Sequence, residues 1–174
     1  MSAQSKPVYI AYGTNVRLDE TPERQSLAYI IEQLKAHNVF VDNFSRLWLS
    51  KSWPDPHQPP YLNAVFRARS SLSPAAILHI LHDIEASAGR RRDGRANAPR
   101  TLDLDLIAYD DAIIDADGLS IPHPRAHDRA FVMGPLAEID PDWRHPVLKR
   151  TAAELYQTAT VGRDAYALDP ADRR

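Results

Sequence analysis

The chain has 174 residues, 44% of them hydrophobic and 25% charged, a globular composition long enough for one domain to bury a core unaided. It contains no cysteine, which excludes disulfides, thiolate catalysis and cysteine-ligated zinc and leaves carboxylates and imidazoles as the strong metal ligands, so any bound metal is expected to be hard. A net charge of −2 argues against a general nucleic-acid binder, and no apolar run approaches the ~20 residues of a membrane helix.

The first residues, Met-Ser-Ala-Gln-Ser-Lys-Pro, lack the charged and apolar regions of a secretory signal, so a cytoplasmic protein is expected. Val8 to Tyr12 reads as a buried first strand that stops at a tight turn, Gly13-Thr14-Asn15. Thr21-Pro22-Glu23 has the form of a capped helix start, and Leu27, Ile30, Ile31 and Leu34 recur at helical spacing on one apolar face. Val39 to Leu49, rich in β-branched and aromatic residues, predicts a second strand. Pro54, Pro56, Pro59 and Pro60 then stiffen a loop.

Tyr61 to Arg69 alternates as a third strand, with Leu62, Ala64, Phe66 and Ala68 on one face and Tyr61, Asn63, Val65 and Arg67 on the other. Ser73-Pro74 opens a second helix whose stripe is Ile77, Leu78, Leu81 and Ile84, with Gly89 as its stop. An arginine-rich loop spans 90 to 100, and Thr101 to Tyr109 alternates as a fourth strand. Strand, helix, strand, strand, helix, strand predicts an α+β fold, a ferredoxin-like βαββαβ sandwich with an antiparallel sheet and helices on one face. Residues 110 to 174 add a hairpin-like segment and short helices, with about 160–174 read as a polar tail of the same single domain.

The sharpest chemical feature is Thr101-Leu102-Asp103-Leu104-Asp105-Leu106-Ile107. A period of two sends the leucines to one face and both aspartates to the other, with carboxylates roughly 6 to 7 Å apart. Such a pair repels unless a cation lies between them, and Mg²⁺, which takes one or two carboxylates plus substrate phosphates, suits it. The plainer alternative is a strand face whose charges point to water. Just upstream, Arg90, Arg91, Arg92, Arg95 and Arg100 crowd a loop hinged by Gly89 and Gly94. Guanidinium forks fit phosphate oxygens, so metal plus arginine reads as nucleotide phosphate handling; a solvated loop or an RNA contact is the competing reading.

Neither a P-loop nor a kinase glycine loop is present, so side chains must hold any phosphates. His123, in Ile121-Pro122-His123-Pro124-Arg125, is read either as a structural histidine or as a phosphate donor beside Arg129. Tyr61 and Asn63, near Trp53, form either an aromatic surface patch or a clamp for a flat heterocycle.

Together these motifs resemble the 6-hydroxymethyl-7,8-dihydropterin pyrophosphokinase family. The resemblance runs from Tyr9-Ile10-Ala11-Tyr12-Gly13-Thr14-Asn15 to about Leu155 and is most specific at Pro99-Arg100-Thr101-Leu102-Asp103-Leu104-Asp105, Ile121-Pro122-His123-Pro124-Arg125 and Arg129-x-Phe131. It implies transfer of diphosphate from ATP to the pterin hydroxymethyl group with release of AMP, in folate biosynthesis. It further implies two Mg²⁺ ions on Asp103 and Asp105, and Arg90 and Arg100 as catalytic phosphate contacts. Glu85, Arg92, His123 and Arg129 would bind ATP; Tyr61, Asn63 and Phe131 would bind the pterin.

The chain departs from the commoner pattern at Asn97-Ala98, where many members have Trp-Gly, and at Ser50-Lys51-Ser52-Trp53, where Trp53 is expected to supply the missing apolar cover over the pterin. Thr14 stands where serine is usual. A monomer working on small molecules, with no nucleic-acid or membrane partner, is the expectation. Two rival classes are an RNA-binding module on the same fold and a nucleotidyltransferase that would release pyrophosphate.

Overall fold

A computed structural model describes residues 4–15, 26–52, 59–88, 102–116 and 118–169. The central sheet is antiparallel. Its strands are β1 (Lys6–Thr14), β2 (Phe40–Phe44), β3 (Trp48–Ser50), β4 (Tyr61–Ser70), β5 (Asp103–Tyr109) and β8 (Tyr166–Ala167), running in the order β5-β1-β4-β3-β8 with β2 also on β4. A separate hairpin pairs β6 (Ile114–Ala116) with β7 (Leu119–Ile121).

The expected βαββαβ sandwich is present, with three local differences. First, β1 does not stop at Tyr12: Gly13 pairs with Asn63 and with Asp103, and Thr14 with Leu62, so the anticipated turn is still sheet. Second, the second strand is broken into β2 and β3 by Ser45. Its hydroxyl accepts from Val65 N–H at 3.0 Å while its own N–H donates to Val65 O at 3.0 Å. A side chain thus replaces a ladder acceptor, and the chain kinks there without leaving a buried amide unpaired. Third, α1 (Leu27–Ala36) is capped by Ser26, whose hydroxyl accepts from Tyr29 N–H; Thr21 and Pro22 lie outside the described residues. α2 (Pro74–Ser87) begins at the Ser73 cap as expected and ends at Ala88, with Gly89 outside the described residues.

Both helices cover one face of the sheet. Ile30, Leu34, Ile77 and Leu81 are fully buried there against Val8, Ile10, Ala64 and Phe66. At about 1.5–3 kcal/mol per buried aliphatic or aromatic side chain, this is the main stabilising layer.

The other face is covered too. α3 (Ala130–Ile139) and α4 (Ala152–Thr158) pack Val132, Met133, Leu136 and Leu155 onto Tyr9, Val65 and Ile107. The C-terminal additions therefore turn a two-layer sandwich into three layers. A clamp fixes α3: Glu138 accepts from Trp48 Nε1 at 2.8 Å and from Arg46 Nε at 3.1 Å.

The stretch read as a polar tail is also part of the fold as far as it is described. β8 adds to the sheet beside β3, and Ala165 and Leu168 are buried. Its polar residues bond to distant segments: Thr160 N–H and hydroxyl both donate to the Asp128 carboxylate, and Asp164 accepts from Lys51 N–H at 2.6 Å. No described helix is long and apolar enough to cross a membrane.

Candidate active site

α3 begins only at Ala130, so one end of its face of the sheet carries polar residues instead of packed ones. Register assembles them. Asn63 on β4, Gly13 on β1 and Asp103 on β5 form one row, and Val65, Ala11 and Asp105 the next. Alternation sends all of these side chains to the α3 face, while Leu62, Leu104 and Leu106 point into the other core.

Gly13 leaves a notch in the first row. A β-carbon there would sit 3.9 Å from Asn63 Oδ1 and 4.0 Å from Asp103 Cβ. With strands ~4.8 Å apart, Asn63 and Asp103 flank a gap roughly 10 Å across at the backbone, wide enough for a flat ring.

Asn63 is buried and its orientation is determined. Its amide nitrogen donates to Ser50 Oγ at 3.0 Å, to Tyr61 O at 3.2 Å and to Trp48 O at 3.3 Å. A flipped amide would set oxygen against two carbonyls, so Oδ1 is the atom turned to Gly13. Ser50 and Tyr61 pair one row further out, which keeps both beside the notch.

Asp105 meets two basic groups. His123 Nε2 lies 3.9 Å from Asp105 Oδ2 and Arg129 Nη1 lies 4.0 Å from the same oxygen. His123 is delivered by the chain after β7, where its N–H donates to Ile107 O at 2.8 Å, at the point where β5 slips register against β1. Its Nδ1 accepts from Arg125 N–H at 3.2 Å, which leaves the neutral ring's proton on Nε2, the nitrogen nearest Asp105. Burial lowers the pKa of His123 below its ordinary value; Asp105 opposes this, and Arg129 and Arg125 reinforce it. Neutral His123 is thus an N–H donor near neutral pH.

Arg129 occupies the N-cap position of α3 without a side-chain capping bond, and its guanidinium lies 5.7 Å from the centroid of the Phe131 ring. Asp103, Asp105, Asn63, Tyr61, His123, Arg129 and Phe131 are therefore brought to one end of one face. Glu85 is not on that face. It is a buried residue of α2 itself, and its Oε1 accepts from Leu104 N–H at 2.8 Å, bracing the residue between the two aspartates from behind. Trp53, Arg90, Arg92 and Arg100 lie outside the described residues. The notch at Gly13 and the hydroxyl of Ser50 were not singled out from sequence. Only register discloses them: Gly13 pairs with both Asn63 and Asp103, and Ser50 pairs with Tyr61.

The donor set suits a hard divalent ion. It consists of carboxylates, with no third His, Asp or Glu converging into a metal-holding group among the described residues. Mg²⁺ is commonly held in this way, by one or two carboxylates with phosphate and water oxygens completing the shell.

Residues 9–141 match the family described as 7,8-dihydro-6-hydroxymethylpterin-pyrophosphokinase (HPPK). The chain belongs to that family. The 2-amino-4-hydroxy-6-hydroxymethyldihydropteridine pyrophosphokinase of Synechocystis is 41% identical over 128 residues, 74% of this chain and 65% of its own length. The protein of the same name from Haemophilus influenzae is 39% identical over 134 residues, 77% of this chain and 81% of its own. That from Aquifex aeolicus is 30% identical over 156 residues, 88% of this chain and 92% of its own.

A crystal structure of Plasmodium falciparum HPPK-DHPS A437G/K540E with pterin and p-hydroxybenzoate superposes with a TM-score of 0.64 at 13% identity, over 95% of this chain and 48% of that one. This likeness is one of fold. The chain spans a little under two thirds of the Synechocystis relative and less than half of the Plasmodium chain. Within the HPPK match lie Asn63, Asp103, Asp105, His123, Arg129 and Phe131; the segment from Ala159 to Leu168 lies beyond it.

Proposed function

We propose that this single-domain chain transfers diphosphate from ATP to the hydroxymethyl group of 6-hydroxymethyl-7,8-dihydropterin, releasing AMP, in folate biosynthesis. Family membership and the names of its relatives support pyrophosphokinase activity. The observation that carries the reading onto this chain is the row Asn63–Gly13–Asp103: a notch for a flat ring that ends at a carboxylate pair.

In this reading the heterocycle lies over Gly13. Asn63 Oδ1 accepts from a ring N–H, and Tyr61, Phe131 and Trp53 cover the ring. Asp103 and Asp105 hold two Mg²⁺ ions, which when bound neutralise triphosphate charge as Lewis acids. His123, through Nε2–H, and Arg129 contact phosphate oxygens, as do Arg90, Arg92 and Arg100. Glu85 keeps the Asp-x-Asp segment in place at the nucleotide side.

The hydroxymethyl oxygen bonds to the β-phosphorus, the bond from that phosphorus to the α,β-bridging oxygen breaks, and the bridging oxygen leaves with AMP. The hydroxyl proton passes to solvent. The residues contribute alignment and charge stabilisation, which such a transfer needs more than a strong base. We further propose a cytoplasmic monomer with no nucleic-acid or membrane partner.

Product analysis tests the reading. Mixed with ATP, Mg²⁺ and the dihydropterin, the protein is expected to yield AMP and a pterin diphosphate in equal amounts. Release of ADP or of free pyrophosphate would overturn it.

A further inference from the structure

The segment after α4 touches both sides of the notch. On one side, Thr160 and Val161 N–H groups donate to Asp128 O at 3.2 and 3.0 Å, and Ala130 N–H donates to Val161 O at 2.8 Å. This zips the segment alongside Arg129, with which Val161 forms a parallel bridge. On the other side, Asp164 holds Lys51 N–H, and β8 pairs with Trp48 and Leu49 beside Ser50.

Between these anchors the chain turns at Gly162, which has φ +68°. Its backbone lies close against the Phe131 ring. A β-carbon at 162 would overlap Phe131 Cδ1 and lie 3.0 Å from Cε1. Both anchors form through neighbouring residues, so the hydrogen bonds can survive a side chain at 162. The ring cannot stay where it is.

We propose that Gly162 is a positioning residue for the heterocycle: by lacking a side chain it lets the segment from Ala159 to Leu168 set the plane of the Phe131 ring at the edge of the site. The inference rests on the reading of Phe131 as a pterin contact. Phe131 shares α3's first turn with Val132, whereas Asp103 and Asp105 are fixed on β5, so displacing the ring acts first on the aromatic wall and reaches Asp105 only through Arg129, 5.7 Å from the ring.

The test is fluorescence titration of the full chain with 6-hydroxymethylpterin at saturating Mg²⁺ and a non-hydrolysable ATP analogue, with the analogue's own affinity measured separately. Gly118, at φ +77° with nothing within 4 Å of a β-carbon, supplies the control for backbone strain alone. Gly162→Ala is expected to weaken pterin binding roughly tenfold, the scale of a displaced aromatic contact, and to change analogue affinity by much less; an equal loss for both ligands would overturn the positioning role. Gly118→Ala should lower the melting temperature through the same left-handed backbone penalty and leave pterin affinity as in wild type.

Should Gly162→Ala not fold, Gly162→Asn is read in the same way, because asparagine tolerates positive φ and still carries the β-carbon. Phe131→Ala separates the two ideas. If it weakens pterin binding and Gly162→Ala does not, the positioning role is overturned and the proposed function stands. If Phe131→Ala leaves pterin affinity unchanged, the Phe131 contact fails and the inference with it.

Discussion

Strands β1, β4 and β5 show two different faces. Towards α1 and α2 they present Ile10, Ala64, Phe66, Leu104 and Leu106, all buried. Towards α3 the same strands present Tyr9, Val65 and Ile107 in the middle, then Ala11 and Asp105, then Asn63, Gly13 and Asp103 at the end. α2 has 14 residues and α3 has 10, and Arg129, just before α3, lies 4.0 Å from Asp105. One face is covered and dry. The other is covered only part of the way, and the uncovered end collects acceptors, carboxylates and cations in reach of one another. A shared sheet keeps the two coupled: each aspartate is held by backbone pairing to β1 in front and, through Leu104, by Glu85 behind.

The sharpest way to break this comparison is to mutate one residue from each face. Asp105→Ala and Asp103→Ala are expected to lower turnover by roughly 10²–10³-fold or more while the melting temperature stays near wild type. Near-normal rates in either would remove the metal assignment. Phe66→Ala should do the reverse. It is fully buried, so about 3–5 kcal/mol of stability is lost, and kcat per folded molecule is unchanged. Next in size, Asn63→Ala is expected to raise the pterin dissociation constant by about tenfold or more, since it removes an acceptor whose orientation three hydrogen bonds fix, and to leave ATP affinity alone. Calorimetric titration of each ligand decides this.

The dry face was the legible one. Alternation in Tyr61 to Arg69 and the i, i+3, i+4 stripes of both helices name its core almost residue by residue, because one face buried and one not is what makes a period visible. Asp103 and Asp105 were legible for the same reason, standing out against Leu102, Leu104 and Leu106. The second face was harder to read. α3 is apolar nearly all round, with Val132, Met133, Gly134, Pro135 and Leu136 consecutively buried, so no stripe announces which side meets the sheet.

The segment from Thr160 to Asp164 reads as a tail because it is polar and largely exposed, yet its hydrogen bonds tie it to distant segments of the chain. Hydrogen bonds from side chain to backbone across 32 or 113 residues leave no periodicity behind. The notch at Gly13 was invisible for a related reason. It depends on which residue sits opposite, and register is a property of two strands.

His145 offers a smaller test that belongs to neither catalytic row. Burial, helped by nearby His127, pushes its pKa down to about 4, and Val147 and Leu148 N–H groups donate to its Nδ1. The unfolded chain, with an ordinary value near 6.5, takes up the proton first. Stability from this group is therefore full above about pH 6.5 and is lost as pH falls towards 4. Thermal melts across that range should show His145→Asn with a shallower loss than wild type. Equal slopes would assign the acid sensitivity elsewhere.

The smallest expected effect sharpens the comparison most. Asp164 is exposed and joins the segment from Ala159 to Leu168 to Lys51 N–H by one hydrogen bond, so Asp164→Ala should cost under about 1 kcal/mol of stability. If the open end of the second face is merely the part that α3 fails to cover, loss of that bond changes nothing else. If the segment braces the wall of the notch, KM for the pterin rises a few-fold with kcat and KM for ATP unchanged. Asp164→Asn, which keeps an acceptor at the same position, restores the wild-type value. Rescue by Asn is the decisive part, because a general loosening of the C-terminal segment would raise both KM values and would not depend on one oxygen.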